Sequence, residues 1–175
     1  MKLMEVGLTD ESLLLDLLNT TPVVEGLLCD VLAETTTAQD WLRVHDATAA
    51  EVAGLVAARN LLQAVVRGTE SAGALTPCLE AAALRAHMTE NGANWELDVD
   101  EAMRGAVRAV LAWDALRIAR PGRLRACANP DCRLFLMDRS KSNAKRWCSM
   151  TTCGNRRKAR RYHRRARTAK TDEQP

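Results

Sequence analysis

The chain has 175 residues, 47% of them hydrophobic and only 3% aromatic, with a formal net charge of +3. A chain of this length buries about 70% of its unfolded surface, so most of it needs no covalent staple. No run of about 18 apolar residues occurs and no basic, apolar, cleavable leader opens the chain, which argues against a membrane span or secretory signal and for a cytoplasmic protein.

The small net charge hides a division. Through Arg120 there are 9 Lys and Arg against 18 Asp and Glu; from Pro121 onward there are 16 against 4. Asymmetry of this size points to an acidic body carrying a polyanion-binding tail.

The acidic part reads as helices with short breaks. Leu13, Leu14, Leu17 and Leu18 share one face of a helix that starts near Asp10 and stops before Pro22. Thr37 to Asp40 resembles a capping box opening a short helix through Trp41 and Leu42, and Thr48 to Glu51 is a cleaner box. The second box precedes Val52, Leu55, Val56, Leu62, Val65 and Val66, with Gly68 as the stop. Thr76-Pro77 reads as an N-cap and first helical residue, opening a helix toward Asn91-Gly92. Asn94 to Leu97 reads as extended but too short to define a sheet. Asp98 or Asp100 caps a long helix carrying Val107, Val110, Trp113 and Leu116, and Pro121-Gly122 ends it. Cys29 and Cys78 lie in apolar patterns and read as buried side chains. His45 and His87 stand alone, as solvated or core histidines. No catalytic constellation is visible, so no enzyme is expected.

The strongest signal follows: Cys127-x4-Cys132-x15-Cys148-x4-Cys153. Four thiolates supply a closed tetrahedral shell for one structural zinc. Two disulfides, free thiols or an iron–sulfur cluster are the alternatives. Asn129-Pro130-Asp131 is turn chemistry that folds the first pair back. Leu134 to Met137 reads as a strand, within a hairpin or a strand and loop. A segment this small has too little core to fold without a metal.

Ser149 caps a helix that begins just after Cys148, and Gly154 suits a close backbone approach to the metal or the hairpin. At about 100° per residue, Ala159, Tyr162, Ala166 and Ala169 gather in a packing stripe. Arg156, Arg157, Lys158, Arg160, Arg161, Arg164, Arg165 and Arg167 occupy the wide remaining arc. No acid falls between Asp138 and Asp172, whereas a merely solvated face mixes signs; a nucleic acid is the expected partner. A membrane-surface helix would need a broad apolar face, and this stripe is mostly alanine.

Cys127 to Cys132, Phe135, Asp138-Arg-Ser, and Arg146 through Arg156 with Lys158 to Arg161 resemble the CGNR zinc finger. In that family the finger follows an α-helical bacterial domain, the ABATE domain. Leu15 to Thr20, Trp41-Leu42 and Ala58 to Asn60 resemble its landmarks. The resemblance implies zinc at Cys127, Cys132, Cys148 and Cys153, and a DNA-binding role in stress-induced transcription regulation.

The whole reads as mainly α: an acidic helical domain over 1–120, a small treble-clef-like zinc finger (a short β-hairpin plus the basic helix) over 121–167, and a disordered tail over 168–175. The expected partner is DNA in the nucleoid, with dimerisation through the helical domain to span two half-sites. An RNA- or ribosome-associated module is the alternative. Nuclease chemistry would need histidines on a catalytic metal, and the finger offers only His163.

Overall fold

A computed structural model describes residues 10–80 and 82–160. Helix α1 (Glu11–Leu18) opens where Asp10 Oδ1 accepts from Leu13 N at 2.9 Å, and it buries Leu13, Leu14, Leu17 and Leu18 completely. A two-residue hairpin, β1 (Val23–Val24) with β2 (Leu27–Leu28), turns through Glu25 and Gly26 in the left-handed region. Helix α2 (Thr35–Val44) starts two residues before the expected box. The Thr37 hydroxyl is spent on the carbonyls of Val31 and Glu34, so it caps nothing downstream.

The second box is present. Thr48 N donates to Glu51 Oε1 at 2.9 Å, a single 3₁₀ turn follows, and α3 (Val52–Arg67) ends on Gly68 at φ +77°. Helix α4 (Arg104–Ala119) is reached through another 3₁₀ turn, whose cap is Asp100 rather than Asp98. Helices α1, α3 and α4 pack together around Leu55, Ala58, Leu62, Ala109, Val110 and Leu116. The crossing of α3 and α4 is close: Glu51, fully buried, accepts from Gly105 N at 2.6 Å and pairs with Arg104 at 3.2 Å. A Cβ on Gly105 would stand 2.8 Å from that carboxylate, so only glycine fits there.

Residues 49–67 are long and apolar enough to cross a membrane by composition, with a mean hydropathy of 1.3. Their placement is that of a core helix. Glu51 is buried, and so are Arg59 and Gln63, whose side chains reach back to the loop after α1. Arg59 holds Asp30 with two bonds of 2.7 and 2.8 Å and donates to Thr20 at 3.0 Å.

One expected helix is absent. Thr76 and Pro77 lie inside a 3₁₀ segment (Ala72–Cys78), and the chain then forms an antiparallel hairpin, β3 (Ala83–Thr89) with β4 (Gly92–Asp98). Glu90-Asn91 is its turn, and Gly92 opens β4 at φ +109°. Leu84, Ala86 and Met88 pair with Leu97, Trp95 and Ala93 on one face. Alanines on both faces mask this period of two and make the stretch look helical; pairing with the next strand overrides that propensity. Cys78 is buried as expected, but Cys29 is only half-buried and follows β2 rather than lying in a helix. Among the described residues the fold is mainly α, with three small hairpins.

The third hairpin, β5 (Leu124–Ala126) with β6 (Phe135–Met137), is not independent of the helices. Phe135 and Met137 belong to the same buried cluster as α1, α3 and α4, so the hairpin and the helices share one core. The side chain of Asn19, just past α1, docks on the free edge of β6: its Oδ1 accepts from Phe135 N at 2.7 Å and its Nδ2 faces the Phe135 carbonyl at 3.4 Å. Arg67 lies over the Phe135 ring at 4.4 Å and donates to the Arg133 carbonyl at 2.8 Å. Asn19→Ala would leave a buried N–H without a partner, a loss of about 1–3 kcal/mol, read as a lower urea midpoint.

His45 is buried against Trp41, with ring centroids 4.3 Å apart. Burial pushes its pKa below the ordinary 6.5; Asp16 and Asp10 oppose the shift and Arg108 adds to it. The unfolded chain therefore takes up a proton that the folded one refuses. Stability should be complete above about pH 6.5 and decline as pH falls below it. Comparing urea midpoints at about pH 7.5 and 5.5 checks this, and His45→Phe should reduce the difference.

Candidate metal centre

The cysteine quartet sits at the foot of the third hairpin. The loop from β5 to β6 carries Cys127 and Cys132 and is folded back by Cys132 N donating to Asn129 O at 2.9 Å. The second pair lies on Trp147-Cys148-Ser149 and the turn after it. Ser149 accepts from Thr152 N at 3.3 Å as the expected cap, but the first turn (Met150–Gly154) is a π-turn, with Gly154 N donating to Ser149 O at 3.0 Å. That wide turn presents Cys153 to the other thiols. Ala128 N donating to the Arg146 carbonyl at 2.9 Å fastens the two halves together.

The four Sγ atoms all lie within 4.8 Å of one another. Cys132 to Cys148 is 3.7 Å and Cys148 to Cys153 is 3.6 Å. A tetrahedral zinc with Zn–S bonds of about 2.3 Å has sulfur–sulfur edges of about 3.8 Å. A disulfide would require about 2.05 Å. The geometry fits one structural zinc and rules out bridged pairs. Two donors support the sulfurs: Cys148 N points at Cys127 Sγ and Asn129 Nδ2 at Cys153 Sγ, each at 3.5 Å. Such hydrogen bonds orient thiolate ligands and disperse their charge.

Crowding in a half-buried place shifts the titration of Cys132, Cys148 and Cys153. Burial pushes Cys132 up to about 11 and Cys148 further upward. Burial raises Cys153 too, but Asn129 and the neighbouring sulfurs outweigh it and the net shift is downward. Four anions this close are tolerable only around a cation, so binding must expel protons.

Other expectations change. A Cβ on Gly154 would meet the Met150 side chain at 3.0 Å and Trp147 at 3.4 Å, so the close neighbours are those side chains and not the sulfurs or the hairpin. The chain is helical over 155–160, and Arg156, Arg157, Lys158 and Arg160 are exposed there. Ala159, expected in a packing stripe, is exposed as well. Arg160 pairs with Asp131 of the first cysteine loop, which ties the helix to the knuckle. Arg161, Tyr162, His163, Arg164, Arg165, Ala166, Arg167, Ala169 and the 168–175 tail lie outside the described residues. Sequence reasoning missed Asn129 as a sulfur donor, although its place between two ligands was a usable signal. It also missed Asp138, a buried carboxylate that organises the loop after β6. Hydrogen bonds hold Asp138 down to about 2: the Ser140 hydroxyl contributes most, against the opposing effect of burial, and the Ser140 and Lys145 amides and Arg125 add to it.

Purified protein should carry one zinc per chain by elemental analysis, and Cys148→Ser should release it. Because Phe135 and Met137 are shared with the helical core, metal loss should also lower the melting temperature of the helices. Zinc affinity should fall as pH falls, with proton release measurable by calorimetry in buffers of different ionisation enthalpy.

No curated protein matches this chain. Residues 123–166, the segment that holds the four cysteines, match the family model of the CGNR zinc finger.

Proposed function

We propose that this protein is a bacterial DNA-binding transcription regulator whose finger, of treble-clef type, is shaped by a structural zinc. The observation that carries this reading is the exposed cationic run Arg156, Arg157 and Lys158, which leaves the cysteine cluster on a helix with no acid in its own stretch. Four thiolates close the metal's coordination shell, so the metal serves folding and not catalysis. The arginines neutralise phosphates, and a helix of this kind also suits base edges in a major groove.

The helical part, which we read as an ABATE domain, supplies regulation and self-association. Two copies would place two small fingers on neighbouring half-sites and raise avidity without new contacts. Exposed apolar side chains on its hairpins, Val24, Leu27, Leu28 and Met88, offer surface for a second copy. The protein would then reside with the nucleoid. The second reading is an RNA- or ribosome-associated module, since a basic helix alone does not separate the two polyanions.

Crosslinking the tagged protein across the genome, reading DNA and RNA together, decides between them. Promoter enrichment supports regulation; enrichment on ribosomal RNA replaces it with the second reading. In vitro, Arg156→Ala, Arg157→Ala and Lys158→Ala together should weaken duplex binding regardless of sequence. The slope of log affinity against log salt should shallow by about one unit for each phosphate no longer neutralised. An unchanged slope would sink the assignment of this helix.

A further inference from the structure

We propose that the loop from Arg139 to Arg146 is a second phosphate-contact surface, so that the finger grips duplex DNA with this loop and the terminal helix together. The inference rests on the DNA reading above and adds residues that lie outside the basic helix.

The basic residues of the hairpin and its loop divide into two groups. Arg123 and Arg125, on and beside β5, are turned to internal work. Arg123 Nη1 donates to the carbonyls of Asp138 and Ser140. Arg125 Nη2 reaches the carbonyl and side chain of Asn143 and lies 3.5 Å from Asp138 Oδ2. Arg139, Lys141, Lys145 and Arg146 are exposed. Arg139 has 76% of its side chain in solvent, and its nearest acid, Glu11, is 3.9 Å away. No acid lies between Asp138 and Arg146.

A solvated lysine loop needs no internal scaffold, yet this one has a buried one. Asp138, 2% exposed, accepts from Ser140 N at 2.8 Å, Ser140 Oγ at 2.6 Å and Lys145 N at 2.7 Å. Asn143 takes the left-handed conformation at φ +49°, which asparagine tolerates better than most residues. The loop's far end is pinned by the Arg146 carbonyl accepting from Ala128 N. Loop and helix thus leave the same cysteine cluster, with Arg146 two residues before Cys148. Holding the cations in place beforehand lowers the ordering cost of binding.

The chemistry selects the partner. Lysines and arginines beside exposed Ser142 are phosphate partners that carry no base information. Residues 139–146 carry no aromatic side chain, and the adjoining Trp147 is half-buried with Arg146 over its ring at 5.6 Å, which disfavours stacking of unpaired bases. A duplex backbone crossing beside the groove that takes the helix fits both features.

The test uses the full-length, zinc-loaded protein titrated with a random DNA duplex and an RNA hairpin at several salt concentrations. The variant Arg139→Ala, Lys141→Ala, Lys145→Ala, Arg146→Ala alters exposed side chains only. It should keep its zinc and melting temperature while its salt slope on the duplex shallows by about two to four units. The loss should add to that of the helix triple variant. Asp138→Asn, as a positioning change, should weaken binding with every cation still present, and Ser140→Ala should do so more mildly if the former folds poorly. If the loop variant keeps the wild-type slope while the helix variant loses its own, the loop proposal falls and the DNA reading stands. If the wild type binds no duplex, both fall. A loop-dependent slope on the RNA hairpin alone overturns the commitment to DNA.

Discussion

Strand β6 is the place where the two chemistries of this chain meet. Its hydrogen-bonding edges are used on both sides, by β5 on one and by the Asn19 side chain on the other. Phe135 is buried in the helical core and carries Arg67 over its ring. Three residues upstream stands Cys132, one of the four sulfurs. A three-residue strand has almost no stability of its own. Here it is held by a core on one face and a cysteine cluster on its approach, so neither part settles its geometry alone. The body therefore supports the finger's scaffold, and closure of the cysteine cluster supports part of the body's core.

That arrangement gives the polar groups after α1 a mechanical role. Arg59 is buried against Asp30 and Thr20, and Asn19 is the next residue back along the chain. Burying a guanidinium is costly unless it is paired, and each nitrogen of this one has a partner. The pairing fixes the chain after α1, and with it the amide that reads β6. An acidic body can thus hold a basic segment by stereospecific contacts, through Asn19 and Arg67, as well as by net charge.

Charge follows the same division of labour. Arg59, Arg67, Arg108, Arg123 and Arg125 each hold a carbonyl or carboxylate inside the fold. Arg156, Arg157 and Lys158 project into solvent. The difference is one of reach: the first group lies on elements that pack, and the second extends from the cysteine cluster on a helix with no described packing face. A count of basic residues is therefore a poor measure of a polyanion surface until each guanidinium has been assigned a partner.

Much of this was legible in the amino-acid order. The leucines of α1, the box before α3, the glycine that ends it and the cysteine quartet are local signals, governed by helical periodicity, capping and ligand spacing over a few residues. The β3–β4 hairpin was not legible, because alanine-rich residues 82–86 satisfy a helix as well as a strand until Ala93 to Asp98 lie beside them. Nor was the shared core: nothing within 134–137 says that Phe135 and Met137 will face α1 and α3 rather than a small core of their own. The role of Asp138 stayed hidden for the same reason, since a carboxylate among arginines and serines is ordinary surface until the loop closes over it. Local order specifies α1, the capping box and glycine stop of α3, and two close cysteine pairs able to bind metal, since each depends on neighbours within about one or two turns of chain. Which arginines are consumed inside and which strand joins which core were settled by packing, because those outcomes rest on contacts between residues 15 to 116 positions apart.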